Sequence, residues 1–329
     1  MGAKIGRLIQ FGIARETTRG TAESSATYWI PADDLAVDDK DERILDDQSR
    51  GVIEGSVGES IIKQFSEVTL KGPIGDKFFP LVLYGTLGTL STGDNADSDA
   101  SVKDHTISVG QSAQHQALTL FVDDPGVQDY KHALGVVTGL EINYERGRFI
   151  NFSASFKAKK GATATLTPSA TSSESRFRPH HVTFKIASSQ AGLDAASAVS
   201  IKSAQIKFNP NVEDDVVLGS IAPNDFYNKD FRVEGTIEAT WLDEASFKTA
   251  ALAATVKALR LDLVNTDVTI GNAANPRIKI DLYAVTFKPI TRAIKLNDIV
   301  TQTVQFTAHY STSDSKMVEA LATNVVASY

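Results

Sequence analysis

The chain contains no cysteine. This excludes a disulfide framework, a thiolate zinc site and a cysteine nucleophile. Tryptophan is scarce, with Trp29 and Trp241 alone, and no aromatic platform for stacking on sugars stands out. Long hydrophobic runs are missing too. The longest are strand-sized, such as residues 78–84, far short of a membrane-spanning helix. Cationic charge is in deficit: 33 Lys and Arg stand against 40 Asp and Glu, for a net charge of −7. A protein that grips nucleic acid by its phosphates needs clustered Lys and Arg, so that class is disfavoured. A surface that DNA must pass without sticking is compatible with the balance. The N-terminus has Lys4 and Arg7, but Gln10 and Gly12 interrupt the apolar stretch and Arg15, Glu16 and Arg19 follow. No secretory signal is expected there, and synthesis and assembly in a reducing cytoplasm are.

Catalytic signatures are also lacking. There is no G-x-x-x-x-G-K-[ST], G-x-S-x-G or H-E-x-x-H. Of the six histidines, His180 and His181 alone adjoin. On a strand they would point to opposite faces, which predicts a structural role and no metal site. The acidic run from Asp33 to Asp47 lacks EF-hand spacing and has Lys40 and Arg43 inside it. Gly55 and Gly58 read as a turn, because no lysine or helix follows to make a phosphate cradle. Glu234 and Glu238 would lie about 13 Å apart along one strand, too far for a glycosidase pair. The chain is read as a non-enzyme with no cofactor and no metal.

What is present is strand patterning. Phe231 to Trp241 alternates, with Phe231, Val233, Ile237 and Ala239 on one face and Arg232, Glu234, Thr236 and Glu238 on the other. Residues 277–287 and 300–308 alternate likewise. So do Leu140, Ile142 and Tyr144 against Glu141, Asn143 and Glu145, and Phe152, Ala154 and Phe156 against Ser153 and Ser155. Such patterns predict antiparallel sheets with one buried and one wet face. Helices are expected over 76–87, capped by Asp76 with Pro80 in the first turn, and over 243–257, capped by Asp243. Residues 161–175 form an Ala/Thr/Ser run that reads as a linker, and 89–112 read as a polar loop.

Self-comparison finds one order twice: strand, long acidic loop, strand, helix, strand, strand, strand. The acidic loops are 36–50 and 211–229. The predicted architecture is mainly β, with two tandem repeats at 1–160 and 179–329 joined by a linker at 161–178.

The opening carries a resemblance. Phe11-Gly-x-x-x-Glu-Thr-Thr-x-Gly-Thr-Ala22 precedes Tyr28-Trp-Ile-Pro31 and then Glu42-Arg-Ile, which runs on to Arg50-Gly51. Glu54-Gly55 and Thr69-Leu-Lys-Gly72 fit the same layout. This resembles the N-terminus of major tail tube proteins of long, non-contractile-tailed bacteriophages, and the doubled layout resembles their longer members. The resemblance implies two β-sandwich or half-barrel repeats, each with one flanking α-helix. It implies a virion protein made in the host cytoplasm that stacks in rings and lets double-stranded DNA through without sequence-specific binding. Expected partners are copies of itself and other tail proteins (tape measure, tail tip, terminator), with no membrane.

Four wall strands per repeat set the ring size. Twenty-four strands about 4.8 Å apart give a circumference of roughly 115 Å and a diameter near 37 Å. Duplex DNA is roughly 20 Å across, from grooves about 8 Å deep on either side. Twelve strands make too narrow a bore and forty-eight a needlessly wide one. Three chains per ring are favoured, with six as the alternative. Expected lumen residues are Glu141, Asn143, Glu145, Ser153, Ser155, Glu234, Glu238, Thr303 and Gln305. Expected ring-stacking residues are Asp38, Asp39, Asp41, Glu42, Arg43, Asp46, Asp47 and Arg50 in the first loop, with Glu213, Asp214, Asp215 and Lys229 in the second. These loops are expected to be flexible in the monomer. Competing readings are a tail terminator or adaptor, and a carbohydrate-binding β-sandwich.

Overall fold

The structure is a computed structural model, and it describes every residue except 1–4, 97–98, 170–173, 241–246, 295 and 297–298. The fold is mainly β, with large antiparallel sheets. The first half contains β1 (Gln10–Arg15), β2 (Tyr28–Ile30), β3 (Asp34–Asp46), β4 (Gly58–Pro73), α1 (Phe79–Leu87), β5 (Gly88–Asp94), β6 (Lys103–Val109), β7 (Leu118–Asp123), β8 (Asp129–Tyr144), β9 (Asn151–Ala158) and β10 (Ala162–Ala164). The second contains β11 (Val182–Ala187), β12 (Ser203–Asn209), β13 (Val212–Asp215), β14 (Asp225–Asn228), β15 (Arg232–Thr240), α2 (Lys248–Leu252), β16 (Lys257–Val264), β17 (Arg277–Phe287), β18 (Thr291–Ala293), β19 (Thr301–His309) and β20 (Val318–Asn324).

One sheet runs through both halves. Its order is β3, β4, β9, β8, then β12, β15, β19, and finally β18 with the end of β17. The strands alternate: Phe152, Ala154, Phe156, Ile206, Val233, Ile237, Val304 and Phe306 are buried, and the residues between them face out. Behind this wall lie two backing layers, β2-β1-β7-β8-β10 from the first half and β11-β16-β17-β20 from the second, the latter extended by β6 and β5 of the first half. The long strands β8 and β17 belong to both wall and backing, and each passes between them at an irregularity in its pairing.

The corner in β8 explains the opening motif. Leu134 takes a left-handed conformation there, with φ of 58°. Its N–H donates to Glu16 Oε1 at 2.6 Å, Gly20 N–H donates to Oε2 at 2.7 Å, and the Thr119 hydroxyl donates to Oε1 at 3.2 Å. Glu16 is buried, and burial raises its pKa above the usual carboxylate value against the pull of these donors. The Glu-Thr-Thr-x-Gly turn is thus a clamp on the β8 bend.

Helix α1 is apolar all round and buried, packing against β8, β6 and β5. Pro80 sits in its first turn as expected. Asp76 does not cap it. The N-cap is Phe78, and Asp76 Oδ1 instead accepts from Ser175 N–H at 2.6 Å. The second helix is far shorter than 243–257, because Lys257 already begins β16; Leu242 and Asp243 lie outside the described residues.

Three stretches read as loops are ordered otherwise. Residues 36–50 are not a loop: β3 runs to Asp46 and pairs with β4 from Asp34↔Lys71 to Asp46↔Gly58. The alternation was hidden because charge covers both faces of the ribbon. Residues 211–229 contain the β13–β14 hairpin. Residues 89–112 hold most of the β5–β6 hairpin, and β6 pairs with β20 from the far end of the chain, with Ala320 facing Ile107. In the 161–178 stretch, β10 pairs with β8 and Phe177 is fully buried.

Candidate functional site

Among the described residues, the wet face of the wall gathers the predicted lumen set. Glu141 and Asn143 on β8, Ser153 and Ser155 on β9, Glu234 and Glu238 on β15, and Thr303 and Gln305 on β19 all alternate with buried neighbours on one sheet. Glu145 lies just past β8, in the turn, where Arg148 pairs with it at 2.9 Å. Gln205 on β12 stitches the halves on this face: its Nε2 donates to Glu141 Oε1 at 2.7 Å and to Asn143 Oδ1 at 2.9 Å. Lys207 pairs with Glu141 at 3.2 Å. The face is therefore polar and mixed in charge, with lysine set beside carboxylate. Gln205 and Lys207 on β12 join this face beside the acidic, amide and hydroxyl residues that strand alternation points to.

The predicted stacking residues occupy two hairpins, the overhanging end of β3–β4 and the separate β13–β14 hairpin with Lys229 just past it. Asp38, Asp39, Asp41, Glu42, Arg43 and Asp46 are on β3, and Asp47 and Arg50 follow in the turn. All eight are exposed. Most are paired within the β3–β4 ribbon: Asp38 with Lys40, Arg43 with Asp41 and Glu59, Glu42 with Lys63, and Arg50 with Asp46. The tip of this ribbon also exposes Ile44, Leu45, Val52, Ile53 and Val57. The second hairpin exposes Val216, Val217, Leu218 and Ile221.

The second hairpin is docked on the first half, and this spends much of its charge. Asp214 accepts from Lys63 and Lys157, each at 2.7 Å. Burial pushes Asp214 up, but the hydrogen bonds and charges of Lys157 and Lys63 outweigh it and hold the carboxyl below its usual value. Asp225 is likewise held low: burial acts against it, and Arg19 from the opening motif prevails, with Nε 2.9 Å from Oδ1. Phe226 packs with Phe65, Leu134 and Val136, and Gln64 N–H donates to Ile221 O at 2.7 Å. Glu213 pairs with Lys229 at 2.8 Å. Asp215 accepts from Asn224 Nδ2 at 2.8 Å.

The histidine pair differs from expectation. Pro179–His181 form a 3-10 turn, so both rings turn toward Asp267, with Nε2 atoms 3.6 Å and 3.2 Å from Oδ2. His180, His181 and Asp267 have the spacing of a metal-ligand group. The hydrogen bonds assign another role. Arg178 N–H donates to His181 Nδ1 at 3.1 Å, so the neutral ring carries its proton on Nε2 and donates it to Asp267. Burial, then the neighbouring His180, keeps His181 below its usual pKa and neutral. Arg178 Nη1 also holds Asp267 Oδ2, at 2.8 Å. The cluster fastens the turn that leads into β11.

No described helix is long and apolar enough to cross a membrane. No curated protein matches the chain. A family model for phage tail tube proteins matches residues 6–308. The continuous sheet, its single wet face and this match over nearly the whole length place the chain in the phage tail tube protein family, as a structural component of the virion tail.

Proposed function

We propose that the chain polymerises into stacked rings, three chains to a ring, and that the wet face of the wall lines a bore for double-stranded DNA. The observation that carries this reading is the wall. Each chain contributes eight strands in unbroken succession. Three such walls make the 24 strands whose diameter, near 37 Å, admits a hydrated duplex of roughly 20 Å. The residues Glu141, Asn143, Ser153, Ser155, Glu234, Glu238, Thr303 and Gln305 then face the DNA, with Glu145 at the rim. A mixed face with its lysines beside carboxylates offers few free cations to phosphate, so a passing duplex is not held. The apolar tips of the two hairpins supply the contact between rings, and the charged residues around them set its register. The two halves of the chain, divided near 161–178, act as two quasi-equivalent units.

Electron microscopy of the purified protein tests this. Long tubes with three chains in cross-section are expected. Six whole chains per ring refute the stoichiometry, and single rings that do not stack favour a terminator or adaptor. Glu234→Lys with Glu238→Lys should leave tubes intact and slow genome ejection several-fold in phage carrying the variant. Unchanged ejection kinetics remove these residues from the bore.

A further inference from the structure

We propose that neighbouring chains join through β18 of one copy and β3 of the next, in the register that each chain already uses between β8 and β12. The proposal rests on the ring reading above and specifies its interface. Rows of paired residues match across the two parts of the wall. In the first half Val37, Val68, Phe156 and Val137 face one another in turn across β3, β4, β9 and β8. In the second half Ile206, Gly235, Phe306 and Phe287 do the same across β12, β15, β19 and β17. Val37 therefore holds the place of Ile206. Glu141, Ile142 and Asn143 face Ser153, Phe152 and Asn151, as Thr291, Arg292 and Ala293 face Thr303, Gln302 and Thr301. Strand β18 therefore holds the place of the end of β8.

Inside the chain those two places are paired. Ile142 faces Ile206, Asn143 faces Gln205, and Tyr144 faces Ala204. Their counterparts stand open: among the described residues β3 pairs with β4 alone, and β18 with β19 alone. The exposures differ accordingly. Ile206 is 0% exposed and Tyr144 3%, against 40% for Val37 and 70% for Ile294, which holds the place of Tyr144. Two unpaired edges with uncovered apolar residues are what a head-to-tail sheet junction covers, and two unlike edges joined head to tail close into a ring. Transferring the internal register sets Arg292 opposite Val37, Ala293 opposite Ala36 and Ile294 opposite Leu35 of the next copy.

The absence of native cysteine makes the test direct, because two introduced thiols can link only to each other. Leu35→Cys with Ile294→Cys should oxidise into covalent oligomers within assembled tubes, in at least ten times the yield of Leu35→Cys with Ile290→Cys. That control places the thiols four residues out of register, about 13 Å along the strand and beyond disulfide reach. Ala36→Cys with Ala293→Cys reads the same register should the first variant fail to fold. Hydrogen exchange on the unmodified protein gives an independent reading: within residues 35–38 and 291–294, the amides that point away from β4 and β19 should exchange freely in the monomer and gain protection in the tube. Tubes that form without these links or this protection overturn the junction and leave the tube reading standing. Absence of any tube from the unmodified protein overturns both.

Discussion

The two halves of the chain build the same backing pair of strands and fill its matching position with opposite chemistry. In the first half Leu120 faces His132 and Phe121 faces Lys131. In the second Leu259 faces Leu282 and Arg260 faces Asp281. Phe121 is fully buried in a small apolar cluster with Ala14 and Trp29. Arg260 is as inaccessible, yet it is held by ions: its Nε and Nη2 meet Asp281 at 2.6 and 2.8 Å, and Nη1 meets Asp194 at 2.5 Å. Hydrogen bonding to Asp281 raises the already high pKa of the guanidinium. The topology thus prescribes a covered position and leaves its filling open. A packed aromatic tolerates shape changes gradually, whereas a buried ion pair fails abruptly when one member goes.

Breaking the ionic half should give the largest effect. Asp281→Ala leaves Arg260 facing a buried void and should cost about 3–5 kcal/mol. Denaturant unfolding of the monomer measures it. Replacing both Arg260 and Asp281 by leucine should recover most of the loss, since a well-packed apolar pair is often as stable as the ions it replaces. Failure to recover would mean that the pair specifies the fold.

A smaller effect is expected at the first half's own special device. Glu16→Ala deprives Leu134 and Gly20 N–H groups of their acceptor at the β8 corner, at about 1–3 kcal/mol. At the matching bend of β17, Tyr283 N–H donates instead to a backbone carbonyl, Met317 O, at 3.0 Å. Alanine at Met317 should therefore leave that bend unmoved, because the acceptor is backbone, and circular dichroism melts should separate the two.

The smallest expected effect concerns the contact between halves. Asp214 is held below its ordinary value in the folded chain, so its contribution is present at neutral pH and is lost as pH falls through that lowered value. Below it, Lys63 and Lys157 lose their partner and the β13–β14 hairpin should open before the wall does. Hydrogen exchange in residues 212–228 should rise with acid while that in β9 stays slow.

Much of this was readable from residue order, and the reasons for the rest are physical. Period-two alternation located β8, β9, β15, β17 and β19, because β9, β15 and β19, the end of β8 and the start of β17 each have one dry and one wet face. It failed for β3, since Asp38, Asp39, Asp41 and Glu42 leave neither face apolar and the strand is defined by its pairing with β4. It failed for β5 and β6 because the second partner of β6, β20, lies beyond any local window. The wet face is legible in its alternating polar residues, both acids and neutral ones such as Asn143 and Thr303, yet Gln205 and Lys207 gain meaning only with β12 beside β8. The opening motif is recognisable by likeness, but its chemistry depends on the fold that sets Glu16 under the Leu134 N–H. The histidine pair was misplaced because Pro179 begins a turn where a strand was expected.

The β6–β20 pairing has a consequence for the order of folding. Asp104 and Thr323 are joined by a hydrogen bond of 2.6 Å across a separation of 219 residues. Such distant pairs form late and slow the whole reaction. Until β20 arrives, the β5–β6 hairpin must wait with one flank uncovered, and a waiting flank invites the wrong neighbour. Lys103, Asp104 and His105 line that flank with groups that water solvates well. His105 then trades water for Asn324 and the Val326 carbonyl, at 3.1 and 3.0 Å, and becomes fully buried. The hairpin that reads as a polar loop is thus completed only when β20, more than 200 residues away in sequence, docks beside β6.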